Sequence, residues 1–261
     1  FDVTKFFARD DVEFKAFKGK TVRAIPAPGA ASQPRSFFDK MNDWARTDMG
    51  APGLGYITFT RVGELKDTQG SKRVLLHADG WDPQGPIAKF IPDQVLLEMK
   101  RYVGIQGGDA LFFSADAKED RAASLAGQAR LRIGNELGIT EKDVFKFCWI
   151  VDFPMYEWNE DEKKIDFSHN PFSMPNLPVD EFLALDAKDE DRLLALKAIQ
   201  YDIVCNGFES GGGSIRAHRP EILEAVYRVM GHSKEDLDER VGHMLKAFTL
   251  GTPPHGGLAL G

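Results

Sequence analysis

The chain has 261 residues, of which 43% are hydrophobic and 28% are charged, and its formal net charge is −7. This composition is typical of a globular protein, and the length suffices for one large domain or two smaller ones. No apolar run approaches the length of a membrane span, which argues against a membrane protein. The negative charge argues against non-specific coating of DNA or other nucleic acid, although a local basic face could still contact RNA.

The first residues have neither the basic region nor the apolar core of a signal peptide, and they lack an initiator Met. We therefore expect that residue 1 is not the start of translation. The two cysteines, Cys148 and Cys205, lie in apolar, strand-like runs. We expect buried thiols of a cytosolic protein there, rather than a disulfide or a metal site.

Short strands alternate with helices in the first half of the sequence, which predicts a compact α/β or α+β module. His77 is the lone histidine of this module, and it is better interpreted as a structural or surface residue than as a catalytic one. The predicted strands cover 21–25, 55–60 and 108–115, and the predicted helices cover 36–46 and a segment that begins near Pro92.

The second half begins with a predicted amphipathic helix over 117–137, with Leu131 among its packing positions and Gly138 as its stop. A mostly apolar strand over 145–153 is predicted to be buried on both faces. An acidic surface hairpin over 155–167 follows. Three further helices are predicted, one within 189–200, one over 220–230, and one after a capping box that begins at Ser233.

Residues 200–216 carry the candidate site. Asn206-Gly207 lies between apolar-rich arms, and this pair is the strongest short hairpin signal that a sequence offers. With these two residues in the loop, Val204 pairs with Glu209 and Asp202 pairs with Gly211. Asp202 and Glu209 are then diagonal neighbours on one face, with Cβ atoms roughly 7 Å apart.

Two carboxylates in this arrangement can share a divalent cation or its bound waters. We expect Gly211 and Gly213 on the same face, where they leave room for a ligand to approach the backbone. Strict alternation puts Arg216 on the opposite face, so its convergence with the acids requires a β-bulge. The glycine run predicts a bulge between Gly211 and Ser214. The alternative is a hairpin with a solvated acid pair and a flexible glycine turn.

Several segments resemble bacterial-type aspartyl-tRNA synthetase, in the right order and spacing. They are YDIVCNGFESGGGSIR (201–216), GTPPHGGLALG (251–261), WIVDFPM (149–155) and HNPFSMP (169–175). GPIAKF (85–90) and GDALFFSAD (108–116) resemble the GAD insertion domain that bacterial members carry within the catalytic domain.

The resemblance implies an α+β fold: an antiparallel class II sheet flanked by helices, here incomplete, with an inserted α/β GAD-type domain. It implies a lead-in over 1–13, the GAD-type domain over 14–117, and the C-terminal part of the catalytic domain over 118–261. The first and second class II motifs and the anticodon-binding domain are absent from this sequence, and the third motif is cut at Gly261. We therefore expect this chain to be inactive alone. For the intact enzyme the resemblance implies a cytoplasmic homodimer.

The implied reaction activates L-aspartate with ATP to aspartyl-adenylate and then transfers the aspartyl group to tRNA for Asp, with tRNA for Asn left open. By the family pattern Glu209 helps to hold ATP through Mg²⁺, with Asp202 beside it, and Arg216 binds the side-chain carboxylate of aspartate. His169 corresponds to a histidine on a mobile loop near the aspartate. The corresponding ATP-binding positions of the third motif include Gly257 and Gly261.

Asn170 departs from the family, because many members have a second histidine at that position. Two other readings stay open. The chain could be a non-catalytic module, derived from a synthetase, that binds tRNA or a protein. It could also be a metal-dependent hydrolase built on Asp202 and Glu209, although His169, His218 and His255 show no ligand-like spacing.

Overall fold

The structure is a computed structural model that describes residues 1–61 and 80–261, so His77 lies outside the described residues. The chain divides into two compact units, Phe1–Lys142 and Asp143–Gly261. Both contain antiparallel sheets and helices, which confirms the predicted α+β class. In the described part of the chain, no helix is long and apolar enough to cross a membrane.

A four-stranded antiparallel sheet forms the centre of the first unit, and its strand order is β1-β4-β2-β3. Strand β4 is internal, and its first five residues are buried, as expected for a strand covered on both faces. The predicted strands are present, and β3 was missed because Pro83 interrupts its short pattern. The strands are β1 (Thr21–Ala27), β2 (Gly55–Arg61), β3 (Trp81–Gln84) and β4 (Ala110–Asp116).

Helices cover both faces of this sheet, and successive residues of β4 belong alternately to two apolar cores. Leu111 and Phe113 belong to the core that includes residues of α1 and α3. Ala110 and Phe112 belong to the core that includes residues of α2 and α4. The helices are α1 (Thr4–Phe7), α2 (Arg35–Thr47), α3 (Asp93–Val103) and α4 (Glu119–Glu136), with short 3₁₀ turns at Lys15–Phe17, Ala30–Ser32 and Ala88–Phe90.

Helix α4 matches the predicted helix over 117–137, and Gly138 ends it with a left-handed φ of 66°. Leu125, Ala129 and Ile133 face the core, whereas Leu131 is 53% exposed, so its predicted packing role is wrong. The helix packs within the first unit, whose boundary lies at Lys142. The division into a lead-in, a GAD-type insertion over 14–117 and a catalytic part over 118–261 stays a prediction.

A second four-stranded antiparallel sheet, with the order β12-β11-β10-β5, forms the centre of the second unit. Its strands are β5 (Phe147–Ile150), β10 (Gln200–Cys205), β11 (Phe208–Ile215) and β12 (Gly256–Leu260). Two small antiparallel pairs accompany it: β6 (Phe153–Pro154) with β9 (Lys197–Ala198), and β7 (Tyr156–Asn159) with β8 (Lys164–Phe167). The last pair is the predicted acidic hairpin.

Two helices of this unit begin at the predicted signals, whereas the helix predicted between Asp189 and Gln200 ends earlier, at Leu194. Pro220 is the first residue of α7, and Ser233 and Asp236 form the predicted capping box of α8. The short helix over Val179–Leu183 was missed, because it is little more than one turn after Pro178. The helices are α5 (Val179–Leu183), α6 (Glu190–Leu194), α7 (Pro220–Val229) and α8 (Lys234–Phe248).

Strand β5 differs from the prediction of burial on both faces. Phe147 is 62% exposed and Trp149 is 54% exposed. Among the described residues the strand is at the edge of its sheet, with β10 as its neighbour on one side. The prediction of buried thiols is also wrong, since Cys148 is exposed and Cys205 is half-buried. An apolar run predicts a strand, but only the surrounding structure decides whether that strand is covered.

Candidate active site

The hairpin of β10 and β11 turns at the predicted residues. Asn206 and Gly207 both have left-handed backbones, with φ of 51° and 87°, as a two-residue hairpin loop of the favoured type requires. The pairing of Val204 with Glu209 is confirmed. The side chain of Asn206 also fixes the turn to the segment before β5, since its Oδ1 accepts from the Lys146 amide at 2.9 Å.

A β-bulge follows immediately. The register shifts between Val204 and Ile203, because Val204 pairs with Glu209 whereas Ile203 pairs with Gly211. Ser210 is therefore the extra residue, and its carbonyl accepts a hydrogen bond from the amide of Gly261 at 3.0 Å. The predicted bulge is present in this hairpin, but it lies before the glycine run rather than within it.

The bulge decides which side chains share a face. Asp202 pairs with Gly212, not with Gly211 as predicted. Gly211 and Gly213 lie on the opposite face from the acids, and the predicted placement beside Glu209 is wrong. A Cβ atom at Gly211 would be 2.7 Å from the carbonyl oxygen of Ala259, and one at Gly213 would overlap the carbonyl of Gly257. These two glycines therefore permit the close pairing of β11 with β12.

Gly212 is the glycine that leaves room beside the acids. A Cβ atom there would be 2.6 Å from Oδ1 of Asp202 and 2.9 Å from Oε1 of Glu209. Both carboxylates therefore reach over the same residue, and the predicted one-sided acid pair is present. Asp202 is buried, whereas Glu209 is exposed.

The same shift turns Ser214 and Arg216 toward the acid pair. Three strands then contribute two neighbouring rows to one face of the sheet. The first row is Asp202, Gly212 and Ala259, and the second row is Gln200, Ser214 and Gly257. Arg216 follows the second row, and its backbone N–H donates to the carbonyl of His255 at 2.9 Å.

The loop between β8 and α5 lies beside Arg216 and forms another part of the cavity wall. Ser173 forms a β-bridge with Arg216. Oδ1 of Asn170 accepts from the Phe172 amide at 2.9 Å and from the Ser173 hydroxyl at 3.2 Å, which holds the loop in a turn. The ring of His169 stacks on Phe153 with a centroid distance of 5.8 Å.

These elements enclose an open cavity of about 230 Å³. The sequence predicted the acid pair, Arg216 and His169, and the structure brings all four together. It missed Ser214, which a correctly placed bulge would have turned inward, and Gln200, which lies two residues before Asp202 on β10 and so shares its face. The cavity is lined by His169, Asn170, Gln200, Asp202, Glu209, Gly212, Gly213, Ser214, Arg216 and Ala259.

Gly257 and Gly261 do not line this cavity. Gly257 lies beside Ser214, where an added Cβ atom would meet nothing within 4 Å, and its carbonyl accepts from the Tyr201 hydroxyl at 3.2 Å. Gly261 lies beside the bulge, where its amide donates to the carbonyl of Ser210. Their predicted contact with ATP stays a prediction.

The cavity carries opposite charges at its two ends. The acid pair lies at one end, and Arg216 lies beyond the Ser214 row at the other. Within the described residues Arg216 makes no ion pair, so its guanidinium is available to an anion. The second unit contains 12 Lys and Arg against 21 Asp and Glu. An anionic ligand at the acid end would therefore need a cation between itself and the carboxylates.

Two carboxylates fit Mg²⁺, which is held in proteins by one or two carboxylates, with the remaining positions taken by waters and substrate phosphates. They do not make a complete protein-only metal site. Among residues 1–61 and 80–261, no group of three or more His, Cys, Asp or Glu side chains could hold a metal.

Comparison with known proteins identifies the family. The family model for class II tRNA synthetases (D, K and N) matches residues 21–261. The chain belongs to this class II tRNA synthetase family. Its antiparallel sheet with the acid pair and Arg216 is thus part of a synthetase fold, as the resemblance implied.

The curated relatives of this class II synthetase chain are longer than the chain itself. It is 54% identical over 265 residues to the aspartate–tRNA(Asp/Asn) ligase of Methylobacterium nodulans, covering 100% of this chain and 41% of that protein. It is 51% identical over 266 residues to the ligase of the same name from Rickettsia felis, covering 100% of this chain and 40% of that protein. The chain therefore spans about two fifths of the length of these relatives.

Among solved structures, the aspartyl-tRNA synthetase of Entamoeba histolytica matches with a TM-score of 0.31 and 19% identity. That match covers 63% of this chain and 25% of the other.

Proposed function

We propose that the intact protein carrying this chain is an aspartate–tRNA ligase. It would join L-aspartate to ATP as aspartyl-adenylate, release pyrophosphate, and transfer the aspartyl group to the 3′ end of tRNA. The observation that carries the proposal is the presence of Asp202, Glu209 and Arg216 on one face of one hairpin. The names of the curated relatives, at about 54% identity, support the same activity.

ATP would lie at the acid end. Glu209 and Asp202 would hold Mg²⁺, which supplies positive charge to the phosphates when it is bound. Gly212 supports this role because it keeps the space between the two carboxylates free. A side chain that donates or removes a proton is not needed for this step, because displacement at phosphorus is accelerated mainly by positioning and charge neutralisation.

L-Aspartate would lie at the other end, with its side-chain carboxylate on Arg216. A guanidinium can bind a carboxylate through two parallel hydrogen bonds, whereas the neutral amide of asparagine leaves it poorly paired. His169 would lie beside the amino acid, since it lines the same cavity on the loop that faces Arg216. In this chain Asn170 holds the loop turn through its side-chain oxygen, so it cannot use that oxygen on substrate without releasing the loop.

The partners proposed for the intact protein follow from the relatives. These are named for tRNA of both aspartate and asparagine, and we propose tRNA for Asp, together with tRNA for Asn, as its substrates. We further propose that the intact enzyme is a cytoplasmic homodimer.

ATP–pyrophosphate exchange in the intact protein tests the acid end. Glu209→Ala should reduce aspartate-dependent exchange strongly and leave the affinity for tRNA nearly unchanged, because the carboxylate is assigned to metal-bound ATP. Equal losses of exchange and of tRNA affinity would refute this assignment. An intact wild-type protein without any aspartate-dependent exchange would favour the non-catalytic binding module instead.

The same assay tests the other end. Arg216→Leu should raise the KM for aspartate and lower kcat, because the substrate loses its only assigned cation. An unchanged KM and kcat would remove Arg216 from the site.

A further inference from the structure

Ser214 carries a buried hydroxyl that has no partner. The residue is 1% exposed, and its Oγ makes no hydrogen bond within the described residues. A buried polar group without a partner costs free energy, and most such groups in folded proteins are paired. By contrast, the charged side chains of Arg216 and Glu209, which line the same cavity, both reach solvent. The orphaned hydroxyl therefore indicates a missing partner.

The position of Ser214 indicates where that partner comes from. The residue lines the cavity, in the row between the acid pair and Arg216. Gln200 pairs directly with Ser214 and is buried as well, with 6% of its surface exposed. On the other side of Ser214, Gly257 has no Cβ atom to fill the space. Positions two apart along a strand are separated by roughly 7 Å, so Ser214 is within reach of a small molecule held by Arg216.

We propose that Ser214 is a specificity-determining residue, which donates its hydroxyl hydrogen to a carboxylate oxygen of the amino acid bound at Arg216. The Gln200 amide lies beside it as a second neutral hydrogen-bonding group. This inference rests on the proposed function and adds a residue to it. Oγ reaches the ligand by rotation about χ1, the one bond that orients a serine side chain.

The chemistry favours a carboxylate over a neutral group as the acceptor. A hydrogen bond to a charged group is stronger than one between neutral groups. Ser214 would therefore strengthen the binding of the amino acid without adding charge to the cavity, while Arg216 supplies the charge. In the ligand-free protein the unpaired hydroxyl should not stabilise the fold, whereas the hydroxyl of a structural serine would.

Two measurements on the intact protein test the proposal. In ATP–pyrophosphate exchange, Ser214→Ala should raise the KM for aspartate about tenfold and leave the KM for ATP unchanged. In thermal unfolding without ligand, Ser214→Ala should leave Tm unchanged or raise it, and should reduce the Tm increase caused by aspartate. Ser210→Ala is the matched control, because Ser210 is on the same strand but does not line the cavity.

The outcomes separate this inference from the proposed function. Normal exchange with an unchanged KM for aspartate in Ser214→Ala would overturn the inference and leave the proposed function intact. A clear fall in the Tm of ligand-free Ser214→Ala would also overturn it, because the serine would then be structural. A wild-type protein without aspartate-dependent exchange would overturn both.

Discussion

Glu209 and Arg216 face the same cavity, although strict alternation along β11 would place them on opposite faces of the sheet. Ser210 makes the difference, because it has no partner across the hairpin and shifts every later residue by one position. One extra residue thus puts an arginine and a glutamate at the two ends of one surface. The proposed two-ended binding of ATP and aspartate depends on this bulge.

Adjacent glycines on β11 should respond differently to the same substitution. Gly212→Ala places a methyl group against the tips of the Asp202 and Glu209 side chains, which can move aside. We expect a folded protein whose kcat/KM for ATP falls about 100-fold, because the carboxylates lose their positions. Circular dichroism and pyrophosphate exchange measure the two effects.

Gly213→Ala is the matched variant. Its methyl group would overlap the backbone carbonyl of Gly257 on β12, which cannot move without separating the strands. We expect it to lower the free energy of unfolding by about 2 kcal/mol or more. Equal stability of the two variants would contradict the assignment of faces.

Arg216→Lys keeps the positive charge and removes the planar, two-pronged donor. We expect the KM for aspartate to rise roughly 10- to 100-fold, and the preference for aspartate over asparagine to fall, because an ammonium binds a carboxylate less specifically. Arg219→Lys is a suitable control, since Arg219 is exposed and pairs with Glu221 outside the cavity. Comparable changes in both variants would argue against a contact between Arg216 and substrate.

Tyr156 should limit the stability of the second unit at high pH. Its side chain is 1% exposed, and its hydroxyl donates to the carbonyl of Val226 at 3.3 Å. Burial raises the pKa of Tyr156 far above its ordinary value, since the ionised phenol would lose its hydration. The raised pKa means that its contribution to stability is fully present below about pH 10 and is lost as the pH rises further.

Tyr156→Phe removes both the hydrogen bond and the titrating group. At pH 7 we expect the variant to be less stable by about 1 kcal/mol. Above about pH 10 the difference should shrink and then reverse. Urea unfolding across this range would show it, and a stability difference that stays constant with pH would contradict the prediction.

Asp236 should stabilise α8 only while it is ionised. Its carboxylate accepts the backbone N–H of Ser233 at 2.9 Å, and this hydrogen bond is the main cause that holds the pKa of Asp236 below its usual value. A lowered pKa gives stability that is present above about pH 4 and is lost as the pH falls below it. Asp236→Asn should therefore lower Tm slightly at pH 7, and the difference should shrink as the pH falls below about 4 and through the lowered pKa of Asp236.

Asp238→Asn provides the comparison for this prediction, because Asp238 is an exposed carboxylate of the same helix outside the capping box. An equal change in Tm for both variants would mean that net charge, rather than the cap, causes the effect.

Local signals in the sequence predicted most of the elements that the structure contains. Three local signals act within a few residues, so their effects can be predicted without tertiary information. They are Pro220 at a helix start, the capping box at Ser233 and the Asn206-Gly207 turn. The periodicity of apolar residues predicted the longer helices and strands of both units for the same reason, whereas the short elements β3 and α5 were missed. The acid pair on one face followed from the turn alone. Val204 and Glu209 pair between the turn and the bulge, and Asp202 lies two residues from Val204 on the same strand.

Burial and exact register could not be predicted in the same way. The apolar sequence of β5 indicates a strand, but its exposure depends on what lies beside the sheet. The bulge could have formed at several positions in the glycine run. The structure has it at Ser210, whose carbonyl also accepts a hydrogen bond from the amide of Gly261, directly after β12.

The sequence by itself determined which residues turn the chain, which start helices, and which two acids lie side by side. Only the tertiary structure decided that Ser214 and Arg216 join them, because the side of the sheet that a residue faces changes with every residue inserted before it. That choice depends on contacts with β12, which is distant in sequence and next to β11 in space.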